Sequence, residues 1–175
     1  MNKYNIKEFL QDKLAEHKST LKQTSYDMDK SEYLCNDSQT EHVYDFDSYV
    51  ESNFKQGEFP ASPDAILLGD KKFYFVEFKN QDPNRIDKKN MKDKFEKGTV
   101  IIRDLLADFI PQDVEYIFCV VHKKQNSMQA YQRGIESTAS RLGLEAKNKE
   151  LGSFYNKIIA DSVDYYQRFF KQLQC

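Results

Sequence analysis

The sequence predicts an α/β fold, a central mixed β-sheet flanked by helices, formed by one domain over residues 1–175. Three observations predict it. Strand-like and helix-like periodicities alternate along the chain. The run VEYIFCVVH, Val114 to His122, is apolar over more than four successive positions, as expected for a strand covered on both faces in the middle of a sheet. Gly69-Asp70 is a turn signal between two strand-like runs, Asp64 to Leu68 and Phe73 to Asn80, which should pair antiparallel. Aromatic residues make up 14% of the chain, with 13 Phe and 11 Tyr against 6 Gly and 4 Pro, so there is material for a full core.

In chain order, residues 4–17 place Ile6, Phe9, Leu10, Leu14 and His17 at helical spacing and predict an amphipathic helix packed on the core. Lys18 to Thr40 is polar and predicts a loop with a short helix around Ser31 to Cys35. In VYDFDSYVESNF, Val43 to Phe54, Asp45 or Asp47 caps a helix running to about Asn53. The hairpin is followed by a helix from about Arg85 to Phe109. Its apolar side is Met91, Phe95, Ile102, Leu105, Leu106 and Phe109, and its other side bears Lys88, Lys89, Lys92 and Lys97. Beyond the Val114–His122 strand, Met128, Tyr131, Ile135 and Leu142 share one side of a helix that ends near Gly143, a good C-cap residue. A last helix, Ser153 to Leu173, carries Ile158, Ile159, Ser162, Val163, Tyr166, Phe169, Phe170 and Leu173, and serves as core or as the seam of a homodimer. The sheet then has four or five strands.

Several function classes lose support at this point. No apolar run approaches the roughly 20 residues a membrane span requires and the start does not resemble a signal peptide, so no membrane partner is expected. Cys35, Cys119 and Cys175 are odd in number and lack CxxC spacing, which predicts reduced thiols and a cytoplasmic location. His17, His42 and His122 are scattered without ligand spacing, so neither a zinc site nor a histidine nuclease motif is indicated. The net charge of -2 hides an asymmetry. Residues 1–60 hold 7 Lys/Arg against 12 Asp/Glu, whereas residues 71–103 hold 10 Lys/Arg against 5 Asp/Glu, a basic block directly around the hairpin. Lys88, Lys89 and Lys92 in that block are candidate contacts to a nucleic-acid backbone.

The hairpin itself poses a problem of burial. Asp64 stands at one end of an apolar segment and Glu77 and Lys79 at the other, and an isolated charge beside a packed sheet costs several kcal/mol unless it is compensated. Side chains alternate along a strand, so Phe73, Phe75, Glu77 and Lys79 share one face. A four-residue loop, Gly69 to Lys72, puts Asp64 directly opposite Glu77, whereas a two-residue loop, Gly69-Asp70, puts it opposite Phe75 and diagonal to Glu77. Either way the three charges share a face. Two carboxylates at that separation repel unless one is protonated or a cation lies between them. Oxygen ligands in small number suit Mg²⁺, and the ammonium of Lys79 can meet a phosphate oxygen or an attacking water beside it.

Pro63-Asp64, a turn, then Glu77-Phe78-Lys79 resembles the signature of the PD-(D/E)XK nuclease superfamily, the restriction-endonuclease-like fold. The resemblance covers about Ser62 to Val121. It implies a DNA endonuclease in which Asp64 and Glu77 hold Mg²⁺, with Mn²⁺ as a substitute, and Lys79 assists water attack. It further implies a metal contact from the Phe78 carbonyl, a substrate contact from Gln81, and an acidic residue from an early helix, for which Glu32, Glu41 and Glu51 are the candidates. SPDA and EFKNQ also resemble nuclease domains of bacterial toxins, which would imply a protein inhibitor as partner. Two alternatives stay open: a nucleic-acid or protein binding module without turnover on the same fold, and a nuclease directed at RNA.

Overall fold

The computed structural model describes residues 5–109, 114–124, 138–173 and 175. The described strands are β1 (Lys18–Ser19), β2 (Tyr26–Asp27), β3 (Glu32–Tyr33), β4 (Val43–Asp45), β5 (Ala65–Leu68), β6 (Lys72–Lys79), β7 (Glu115–His122) and β8 (Lys157–Ser162). Six of them form one mixed sheet in the order β1-β4-β5-β6-β7-β8, and β2 pairs with β3 in a separate small hairpin. From β1 to β6 each pairing is antiparallel, and β6–β7 and β7–β8 are parallel. The described helices are α1 (Ile6–Lys13), α2 (Leu21–Thr24), α3 (Phe46–Asn53), α4 (Lys88–Leu105), α5 (Thr138–Arg141), α6 (Leu144–Glu150) and α7 (Val163–Phe169).

Strand alternation splits the core in two. Phe73 and Phe75 of β6 join Ile66 and Leu68 of β5 and Phe118 and Val120 of β7 beneath α1, α3 and α4, where Phe46, Met91, Phe95 and Ile102 are buried. Tyr74, Val76 and Phe78 face the other way, with Ala65, Leu67, Cys119 and Val121, toward Leu21 of α2 and Tyr166 of α7. Each large apolar side chain buried this way contributes roughly 1.5–3 kcal/mol. Because β7 is covered on both faces, its run of apolar residues is fully used, as its composition predicts.

Local chemistry sets the helix ends. Asp45, of the two candidates, caps α3 by accepting from Ser48 N at 2.8 Å. Asp87 caps α4 by accepting from Lys89 N and Asn90 N, so that helix starts at Lys88, after a 3-10 turn at Pro83–Arg85, and ends at Leu105. The opening helix is likewise shorter than the 4–17 span and closes in a 3-10 turn at Ala15–His17.

Three expectations are corrected. No helix forms around Ser31 to Cys35: Thr20 caps α2 ten residues earlier, Ser31 takes a positive φ of 52°, and Tyr26 and Tyr33 pair across the β2–β3 hairpin with ring centroids 4.8 Å apart. The single helix from Ser153 to Leu173 is instead strand β8 followed by the short α7. Ile158 and Ala160 lie against one core and Ile159 in the other, a period of two, and Tyr116 N donates to Asn156 Oδ1 at 2.8 Å to fix β8 beside β7. Ser162 then caps α7, in which Tyr166 is buried and Phe169 is 70% exposed. The sheet has six strands rather than four or five, because the two-residue β1 and the hidden β8 supply its edges. The helix expected over Met128, Tyr131 and Ile135 lies largely outside the described residues, and Gly143 takes a positive φ of 73° between α5 and α6.

Candidate functional site

The hairpin register decides where the acids meet. Leu68 faces Phe73, Leu67 faces Tyr74, Ile66 faces Phe75 and Ala65 faces Val76, with Gly69 N donating to Lys72 O at 2.9 Å. This is the four-residue loop. A Cβ on Gly69 would stand 2.8 Å from Lys72 O, so the turn needs glycine there. Continued by one step, the pairing sets Asp64 across from Glu77, and Phe78 N donates to Asp64 Oδ2 at 2.6 Å.

The compensating cation comes from α4. Asn90, Lys94 and Gly98 follow at helical steps of four along one face, and that face lies on Pro63 and the ends of β5 and β6. Lys94 Nζ is 3.0 Å from Asp64 Oδ1, 3.0 and 3.1 Å from the two Glu77 oxygens, and 3.9 Å from Asp47 Oδ2 of α3. Lys79 Nζ adds a second ammonium 2.8 Å from Glu77 Oε1 and 3.4 Å from Asn90 Oδ1. Ser62 Oγ donates to Asp47 Oδ1. The close approach of α4 depends on Gly98, since a Cβ there would stand 2.5 Å from Pro63 Cδ.

Exposure falls from the rim of this cluster, where the Asp47 side chain is 45% exposed, to its centre. The Glu77 side chain is 0% exposed, and those of Lys94, Asp64 and Lys79 are 17%, 18% and 18% exposed. Burial first, and the Asp64 charge second, push the Glu77 carboxyl up to about 7, against the pull of the two lysines. Burial also raises Asp47, to about 6, with Lys94 opposing and Asp64 assisting. For Lys94 burial disfavours the ammonium, but Asp64, Glu77 and Asp47 outweigh it and hold the group charged well above the usual lysine range. The arrangement is a chelate of carboxylate oxygens closed on a cation.

The other anticipated residues lie around this centre. Gln81 is half-buried, and its main chain bonds Lys79 O and Lys123 N. Lys88 and Lys89 are exposed on the first turn of α4, and Lys92 lays its side chain against Gly143. At roughly 100° per residue, all three point about 120° or more away from Lys94. Glu32 holds Asn80 Nδ2 at 2.8 Å and Lys123 Nζ at 2.6 Å beside the end of β6. Glu41 lines a cavity at the turn end of the hairpin, and Glu51 is exposed on α3. The acid that the early helix brings toward the centre is Asp47. Sequence reasoning missed Lys94 and Asp47. A signal for Lys94 exists: it lies three residues after Met91 and four before Gly98, between two positions of the buried face.

Asp64 and Glu77 present hard oxygen donors, the kind Mg²⁺ and Mn²⁺ take, and in this structure they share the Lys94 ammonium. Among the described residues, no group of three or more His, Cys, Asp or Glu side chains is close enough to hold a metal ion. Among them, too, no helix is long and apolar enough to cross a membrane. No family model, curated protein or solved structure matches the chain.

Proposed function

We propose that this chain is a metal-dependent nuclease acting on DNA, with a restriction-endonuclease-like fold and a site of the PD-(D/E)XK kind. The observation that carries the reading is the acidic pair: Asp64 Oδ1 and the Glu77 carboxylate stand across a β-hairpin and grip a single cation at 3.0 Å, with Lys79 on the same face. Asp64 and Glu77 are the residues that would hold Mg²⁺ or Mn²⁺. Such an ion supplies charge neutralisation and water activation when bound. Lys79, held by Glu77 and Asn90, meets the developing negative charge on a phosphate oxygen or orients the attacking water. Lys88 and Lys89, exposed at the start of α4 and turned away from Lys94, would meet the phosphodiester backbone beside the centre rather than at it, without reading bases.

Plasmid nicking in Mg²⁺, with and without EDTA, tests this. Cleavage that stops with EDTA and falls roughly 100-fold or more in Asp64→Ala and Lys79→Ala is expected; cleavage unchanged by either substitution overturns the assignment. An RNA substrate run in parallel separates the two nucleic acids. A second reading, a binding module without turnover, is favoured by one observation: the cation between the carboxylates is the protein's own Lys94. DNA binding that needs no metal, with no hydrolysis on long incubation, is its signature.

A further inference from the structure

The geometry points to Lys94 as a placeholder for the metal: its ammonium holds Asp64 and Glu77 in chelating positions, and a divalent ion binds by displacing it. This inference rests on the metal-dependent reading of the same site and adds a positioning residue to it. Two carboxylates facing each other across a hairpin, one of them sealed from solvent, cannot both stay ionised and in place without a cation. Lys94 supplies one with contacts to Asp64 Oδ1 and to both Glu77 oxygens, and it reaches them because Gly98 lets α4 settle on Pro63. Its charge meets the same oxygens a metal would take, so the two are mutually exclusive occupants. Lys79 shares Glu77 Oε1 with Lys94, standing 2.8 Å from it, and is also held by Asn90, but Lys94 is the ammonium that bridges Glu77 to Asp64 and so stands in the chelating position. Asp47 Oδ2, 3.9 Å from the ammonium, is the nearest acid to receive Lys94 once it is displaced.

The test is metal affinity. Titration calorimetry of the full chain with Mn²⁺ at pH 8 should show at least tenfold tighter binding in Lys94→Met than in wild type, and no such gain in Lys94→Arg, which keeps the charge. Equal or weaker binding in Lys94→Met, or binding in neither protein, overturns the inference. Should Lys94→Met fail to fold, a Mn²⁺-soaked crystal of the wild-type chain decides. An ion between Asp64 and Glu77 with the Lys94 ammonium moved off both carboxylates supports the placeholder, and an ion bound with Lys94 unmoved, or none bound there, refutes it. Wild-type DNA cleavage in Mg²⁺ together with unchanged affinity in Lys94→Met would leave the nuclease reading standing while this inference fell.

Discussion

The two ends of the β5–β6 hairpin carry similar ion pairs at similar distances, and they differ in what surrounds them. At the turn, Lys7 Nζ stands 2.7 Å from Asp70 Oδ1 and Lys72 Nζ 3.2 Å from Glu115 Oε2, with the Asp70 side chain 95% exposed. At the open end, Lys94 and Lys79 stand 2.8 to 3.1 Å from carboxylates that water scarcely reaches. Pairs of the first kind are screened and contribute little; in the second, desolvation raises the cost of every unpaired charge. The turn end has the larger cavity, about 650 Å³, lined by Lys7, His42 and Asp70 among others, while Asp64, Phe78 and Asn80 line one of about 120 Å³. The buried charges lie at the smaller cavity, and the screened ones at the larger.

The largest expected effect tests that contrast. Lys94→Ala removes the cation and strands Asp64 and Glu77, which should cost about 3–5 kcal/mol in urea titrations at pH 8 in EDTA. Asp70→Asn, at the turn, should leave the unfolding midpoint unmoved. Equal effects from the two substitutions would erase the difference between the ends.

Next in size is the pH dependence. The unfolded Glu77 carboxyl releases its proton near its ordinary value of 4.5, and the folded one keeps it up to about 7. Across that window the folded state binds more protons, so this group makes stability fall as pH rises. Asp47, raised to about 6, acts with the same sign. Between pH 5 and pH 8 in EDTA, wild type should lose on the order of 2–3 kcal/mol relative to Glu77→Gln, which has no proton to release there. A difference of the opposite slope would mean that Glu77 stays ionised throughout.

The smallest effect concerns how α4 reaches the site. Gly98→Ala gains about 1 kcal/mol of helix propensity, but the new Cβ meets the Pro63 ring at 2.5 Å, and a ring cannot swing aside. Overpacking of about 1–3 kcal/mol should win. The measurement is a urea midpoint with plasmid nicking alongside: a net loss of about 1 kcal/mol with reduced cleavage is expected, and a stabilised, fully active variant would show that α4 has room to move.

Much of the site was legible because strand parity is local. Whichever even loop closed the hairpin, Asp64, Glu77 and Lys79 had to share a face, and the four-residue loop then set Asp64 against Glu77. Lys94 was hidden because a lysine at the border of a buried helical face looks like any solvated lysine until the neighbouring strand ends are placed. Asp47 was read as a cap candidate because one aspartate serves that role as well as another two residues away, and only the Ser48 N–H donating to Asp45 separates them. The last helix failed for a related reason: Ile158, Ile159, Val163 and Tyr166 satisfy a helical spacing and a strand-then-helix break equally well, and β7 needed a partner.

Alternation along β6, the two-sided burial of β7 and the aromatic supply of the core were determined by the sequence alone, since each depends on neighbours within a few residues. The identity of the cation between Asp64 and Glu77, and the helix that brings the third acid near it, were decided by tertiary structure. Residues 47, 64, 77 and 94 meet only after three elements pack, and buried charges interact through distances that no spacing along the chain encodes.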